Sequence, residues 1–227
     1  MGAEDDGRVT EMTGPEVRAL LAEGGTVRDV VAEEPDLHGL DLSGVTLENC
    51  RLPGADLRGA TLDAVTVRGG SLAGAIFIDA DLTDAAFEAV DLSRIRLTGA
   101  LLTETRFTDC RMIGADLSGL RGLAVSYRLD GCILGLANLQ DVAWRGVHLR
   151  GVDLSEADLR GADLRDAVLT DCVLRDVDLG HTRLVGADLR GADLGGLSDD
   201  TPRTLRGAII SEAQAAAVCR ALGLVVA

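Results

Sequence analysis

The chain has 227 residues, 47% of them apolar and 26% charged, a balance that builds a core and not a disordered coil. Phe, Trp and Tyr together make up only 2%, so neither a ring-based core nor base stacking on aromatic platforms is available. The net charge is −15, with all 22 basic residues arginine, which argues against gripping a phosphate backbone.

The N-terminal stretch carries Glu4, Asp5, Asp6 and Glu11 and no apolar run, unlike a secretory signal. No run approaches 18 apolar residues, so no membrane partner is expected. Five cysteines without a CxxC suit neither a disulfide framework nor a zinc site, and a reducing cytoplasm is the expected location. Thr13-Gly14-Pro15-Glu16 forms a capping box with proline in the first turn, followed by Val17, Leu20 and Leu21 at helical spacing and a stop at Gly24-Gly25. Residues 1–34 therefore read as an N-terminal flank with a capping helix.

From Leu37 every fifth residue is apolar, through Leu42, Leu47 and onward to Leu117; a second series runs from Leu129 to Leu194. Two residues before these positions stands a small residue, mostly Ala or Val, with exceptions at Pro35, Leu40, Gly70, Ile95 and Tyr127, and the residue between is often Asp. A period of five is neither 3.6 nor 2, so it fits neither an amphipathic helix nor a simple strand. It fits a chain that turns a corner every five residues. Four sides close a square of about 20 residues, one large and one small side chain point inward on each side, and coils stack about 4.8 Å apart. Residues 20 apart then share a column. Phe87 and Phe107 should stack, Trp144 is an oversized core residue, and Cys50 with Cys110, and Cys132 with Cys172, stand two or three coils apart, too far for disulfides. Four of the five cysteines read as small core residues.

Runs such as Ala55-Asp56-Leu57-Arg58-Gly59, Ala137-Asn138-Leu139-Gln140-Asp141 and Ala187-Asp188-Leu189-Arg190-Gly191 resemble the pentapeptide-repeat family, whose consensus is A-(D/N)-L-x-x. The resemblance covers residues 35–196. It implies an all-β solenoid: a right-handed quadrilateral β-helix of about eight coils, closed by short N- and C-terminal capping helices.

The two series are out of phase, and residues 120–126 interrupt the rod. A bulge, a kink or a small loop would fit there. By resemblance to the quinolone-resistance members, whose projecting loops touch topoisomerase, Leu120, Arg121 and Leu123 are possible contact residues. Residues 197–227 read as a last partial coil and a helix opened by the capping box Ser211-Glu212-Ala213-Gln214. Resemblance to the quinolone- and albicidin-resistance members implies a homodimer through this end, at Ile209, Ile210, Ala213, Ala217 and Leu224.

No nucleophile elbow, metalloprotease, Walker or dinucleotide motif occurs. No catalysis, metal or cofactor is expected. Two functions fit an acidic rod. By the same resemblance, it is a duplex mimic occupying the DNA site of DNA gyrase or topoisomerase IV, with Asp153, Asp158, Asp163, Asp178, Asp188 and Asp193 as its acidic face and no direct nucleic-acid binding. Alternatively it is a scaffold for an unrelated protein, its charge balanced by Asp–Arg pairs. A continuous acidic stripe of about 20–30 Å along one face, with few facing arginines, separates the two.

Overall fold

The computed structural model describes residues 9–122, 126–196 and 201–226. In chain order its elements are β1 (Thr10–Glu11), α1 (Gly14–Ala22), β2 (Thr26–Arg28), β3 (Val30–Val31), β4 (Thr46–Glu48), β5 (Thr66–Arg68), β6 (Ala86–Glu88), β7 (Arg106–Thr108), β8 (Arg128–Asp130), β9 (His148–Arg150), β10 (Val168–Thr170), α2 (Thr201–Thr204) and α3 (Glu212–Ala221). From β2 and β4 to β10 the strands form one parallel sheet in which each pairs with its counterpart one coil away. This is face 1 of a quadrilateral β-helix of about eight coils. Single bridges such as Arg51↔Ser71, Asp56↔Ile76 and Thr61↔Asp81 mark faces 2, 3 and 4.

The period of five is set at the corners. Ala55 N–H donates to Leu52 O at 3.2 Å, closing a turn whose third residue, Gly54, has φ +68°. That left-handed third residue is what a type II turn demands. Where it is not glycine it is often Asp or Asn, as at Asn49, Asp79 and Asp109, residues that tolerate this conformation best. Between corners, large and small residues alternate inward: Leu57, Leu82 and Leu92 with Ala55, Ala80 and Val90 are all at most 2% exposed. Phe87 and Phe107 stack at 5.1 Å with an 11° interplanar angle, as their 20-residue spacing predicts, and Phe77 meets Phe87 edge-on.

The rod begins earlier than Leu37. Stepping back by five reaches Ala32 and Val27, both buried, and β2 already pairs with β4. α1 closes this end, burying Val17 and Leu21 over the first coil, with the expected capping box at Thr13 and Glu16. At the other end Ile209 pairs with Asp188, and α3 follows with the expected box at Ser211 and Gln214. Gln214 Nε2 donates to Leu189 O and Ala192 O at 2.9 and 2.8 Å, and so satisfies the Ala192 carbonyl, which has no further coil to pair with.

The interruption inserts two residues into one coil. Arg121 still pairs with Leu101, 20 residues back, whereas Arg128 pairs with Arg106, 22 residues back. Gly122 thus stands where a core leucine belongs. Trp144, on the same face of the next coil, and Tyr127 are both buried there, and Trp144 Nε1 donates to Tyr127 Oη at 2.5 Å. The ladder is disturbed at this coil: among the described residues no bridge joins Ala143 to Arg121 or Asp163, and β8 pairs with β9 at Asp130↔Arg150 alone. A cleft of about 250 Å³ lined by Leu102, Leu117, Gly122 and Val142 opens beside the pair.

Two predictions follow from these positions. Gly70 occupies an inward small-residue position where the repeat favours alanine, but its φ is +76° and an added Cβ would lie 2.0 Å from Cys50 O. Gly70→Ala is expected to destabilise by about 2 kcal/mol or more, read as a fall in Tm. Burial pushes the Tyr127 phenol up to about 12, against an offsetting bond from Trp144. The unfolded chain ionises near pH 10, so this contribution is complete below pH 10 and fades as pH rises toward 12, by about 2–3 kcal/mol. Denaturation at stepped pH should show that slope in the parent protein and lose it in Tyr127→Phe.

Candidate functional surface

The outward Asp of the repeat has a structural job before an electrostatic one. Its Oδ1 accepts the backbone N–H two residues on, as in Asp41–Ser43 at 3.0 Å, Asp81–Thr83 at 3.0 Å and Asp158–Arg160 at 3.1 Å. The residue supplying that N–H decides what happens to the charge. A serine or threonine donates its hydroxyl to the same carboxylate, at 2.6 Å from Ser43 and Thr83, and leaves the charge in place. An arginine folds back and neutralises it.

The six carboxylates Asp153, Asp158, Asp163, Asp178, Asp188 and Asp193 do not form one face. Asp158 and Asp178 share a column on face 3, and Asp153 and Asp193 share one on face 2 with Val173 between them. Asp163 lies on face 4 and Asp188 on face 1. Five of them meet arginine. Arg160 holds Asp158 at 2.6 Å and approaches Asp178 at 3.5 Å. Asp163 meets Arg165 and Arg183, Asp188 meets Arg190, and Asp193 meets Arg175. The Arg160 guanidinium, with Gln140 also donating, holds Asp158 well below the usual carboxylate range. Arg165 brings Asp163 down to about 2, and Arg190 does the same for Asp188. Asp153 alone is followed two residues on by serine, at 2.6 Å.

The continuous acidic run lies in the other half of the rod. Face 4 carries Asp41, Asp63, Asp81, Asp84 and Glu104 on four successive coils, a span of about 15 Å from first rung to last, shorter than the roughly 20–30 Å expected of a duplex mimic. Asp41 and Asp81 bond to hydroxyls; among the described residues, none of the five is in an ion pair. Face 3 of these coils adds Asp36, Asp56 and Asp79, against Arg58, Arg96 and Arg18 of α1, which lies 3.9 Å from Asp36. The net result over four coils is roughly one negative charge per 4 Å of axis, sparser than the one per 3.4 Å of a single DNA strand.

Two arginines mark its ends. Arg18 of α1 donates to the carbonyls of Asp36 and His38 at 3.0 and 3.2 Å. Arg121 reaches back from the interruption to Asp79 O at 3.1 Å. Past it, face 4 changes sign with Arg145, Arg165 and Arg183, each paired to Asp163 or Asp166.

Of the interruption residues, Leu120 packs partly buried against the core, Arg121 is exposed, and Leu123 lies outside the described residues. At the C-terminal end Ile209, Ala213 and Leu224 are exposed and Ala217 is half-buried; Ile210 packs partly into the core. Val185, Leu222 and Val225 extend this exposed apolar set. Among the described residues, no group of three or more His, Cys, Asp or Glu is arranged to hold a metal, and no helix is long and apolar enough to cross a membrane.

Comparison with known proteins adds the family. The model of pentapeptide repeats matches residues 41–79, 80–119, 132–171 and 172–196. The chain belongs to the pentapeptide-repeat family. Among solved structures it is similar to a trypsin-treated variant of QnrB1, a plasmid-mediated fluoroquinolone resistance protein, at 23% identity and TM-score 0.80, covering 90% of this chain and 100% of that one. Full-length QnrB1 gives 18% identity and TM-score 0.61 over 94% and 97% of the two chains. These likenesses are of fold. A comparison with curated proteins finds no match.

Proposed function

We propose that this pentapeptide-repeat protein is a non-enzymatic DNA mimic that binds DNA gyrase or topoisomerase IV and protects it from, or tunes its response to, topoisomerase poisons. The observation that carries this reading is the unpaired acidic run Asp41–Asp63–Asp81–Asp84–Glu104, backed by Asp36 and Asp79 across the corner. A run of one charge sign along one face would steer the rod toward a positively charged DNA channel. The fold shared with a fluoroquinolone resistance protein supports the same direction.

The test is gyrase supercoiling with purified protein titrated in, with and without a fluoroquinolone. Relief of the drug effect, or inhibition at higher protein concentration, is expected. Combined Asp41→Asn, Asp63→Asn, Asp81→Asn, Asp84→Asn and Glu104→Gln should raise the concentration needed at least tenfold. Asparagine retains the oxygen that Asp41 and Asp81 present to the backbone, so folding should survive. Asp158→Asn with Asp178→Asn, by contrast, changes charges that Arg160 already offsets, and should shift it less than threefold. No effect of the parent protein on either enzyme would overturn the reading.

The self-neutralised second half favours the alternative of a scaffold rod for an unrelated protein. Both readings accommodate a homodimer through the C-terminal end, where Ile209, Leu222 and Leu224 are 47%, 42% and 56% exposed. Ala217→Glu places a charge beside that apolar set and is expected to convert dimer to monomer in light scattering. A variant that stays dimeric would place the interface elsewhere.

A further inference from the structure

Counting by twenties puts Cys110 and Cys132 in different columns, but the two-residue insertion between them cancels the difference. Arg111 pairs with Ile133, and Ile133 N–H donates to Cys110 O at 2.9 Å. Cys110 and Cys132 therefore occupy the same inward position on adjacent coils, one rung apart. A rung of about 4.8 Å falls within the Cα separations of about 4.4–6.8 Å that disulfides span. Both thiols are free and buried, 1% and 0% exposed. Cys50 stands three coils from Cys110, Cys172 two coils from Cys132, and Cys219 lies on α3.

We propose that Cys110 and Cys132 form a dithiol–disulfide site that bolts the two halves of the rod together across the interruption. The bond would join the last coil of the first frame to the first coil of the second, closing the loop that contains Gly122. With hydrogen peroxide as oxidant, the Cys110 thiolate attacks one peroxide oxygen and the O–O bond breaks, leaving a sulfenic acid and, after protonation of the departing hydroxide, water. The Cys132 sulfur then attacks Cys110 Sγ; the S–O bond breaks and hydroxide leaves with the Cys132 proton as a second water. Two thiols and one hydrogen peroxide give one disulfide and two waters. In the reduced protein each thiol donates to a backbone carbonyl, Cys110 to Phe87 O and Cys132 to Phe107 O, both at 3.4 Å.

The arginine-only sequence makes the product easy to read, because trypsin separates residues 107–111 from residues 129–145. Reduced full-length protein would be treated with hydrogen peroxide, alkylated and digested without reduction. In parallel, it would be refolded from urea in a glutathione redox buffer, where the pair can form before the core closes. The expected result is a disulfide-linked 107–111/129–145 species by either route, with Tm raised by about 5–10 °C. Cys110→Ala and Cys132→Ala should each abolish the species and the shift. Alanine already fills this inward position at Ala192, so both variants should fold. Absence of the linked peptides by both routes, or linkage only through Cys219, would overturn the proposal.

Discussion

Each coil of this protein must return to its starting corner so that its amides meet the carbonyls of the coil beside it. That closure condition governs nearly everything else. It forces a left-handed residue at each corner, admits one large and one small side chain per side, and turns a linear count of residues into vertical columns. It also makes errors cumulative. Two residues inserted at one corner shift every later column, and the structure absorbs this by leaving Gly122 in a core position and filling the space from Tyr127 and Trp144.

The aspartates show how a structural requirement and a functional property become entangled. The repeat places Asp where its carboxylate can satisfy an outward backbone N–H, so an acidic surface is partly a by-product of the fold. Whether the charge survives depends on the residue two positions on. Serine or threonine leaves it without an ion pair at Asp41 and Asp81; arginine cancels it at Asp158, Asp163 and Asp188. One rod thus carries an acidic half and a self-neutralised half built from the same pentapeptide.

The fold was legible because the period of five has one geometric reading, and Leu37 through Leu194 hold to it with a single slip. Both capping helices were legible from their boxes. The acidic face was not, because Asp-x-Ser and Asp-x-Arg look alike when only acidic residues are counted. The 20-residue columns need correcting by two across the interruption, and that hid the proximity of Cys110 and Cys132. The start of the rod was missed because Val27 and Ala32, which hold the pentad spacing, are preceded by Thr26 and Val31 where the repeat often has Asp, and Ala32 is small where the repeat has Leu.

The partnership at the break has a practical side. The chain contains one tryptophan and one tyrosine, and they are hydrogen-bonded to each other beside Gly122. Ultraviolet emission from the folded protein is therefore a local signal from one junction, with the coils on either side optically silent apart from three phenylalanines. A fluorescence melt would follow the seam between the two halves, whereas circular dichroism or calorimetry would follow the whole rod. Any difference between those midpoints would measure how tightly the seam is coupled to the coils it joins.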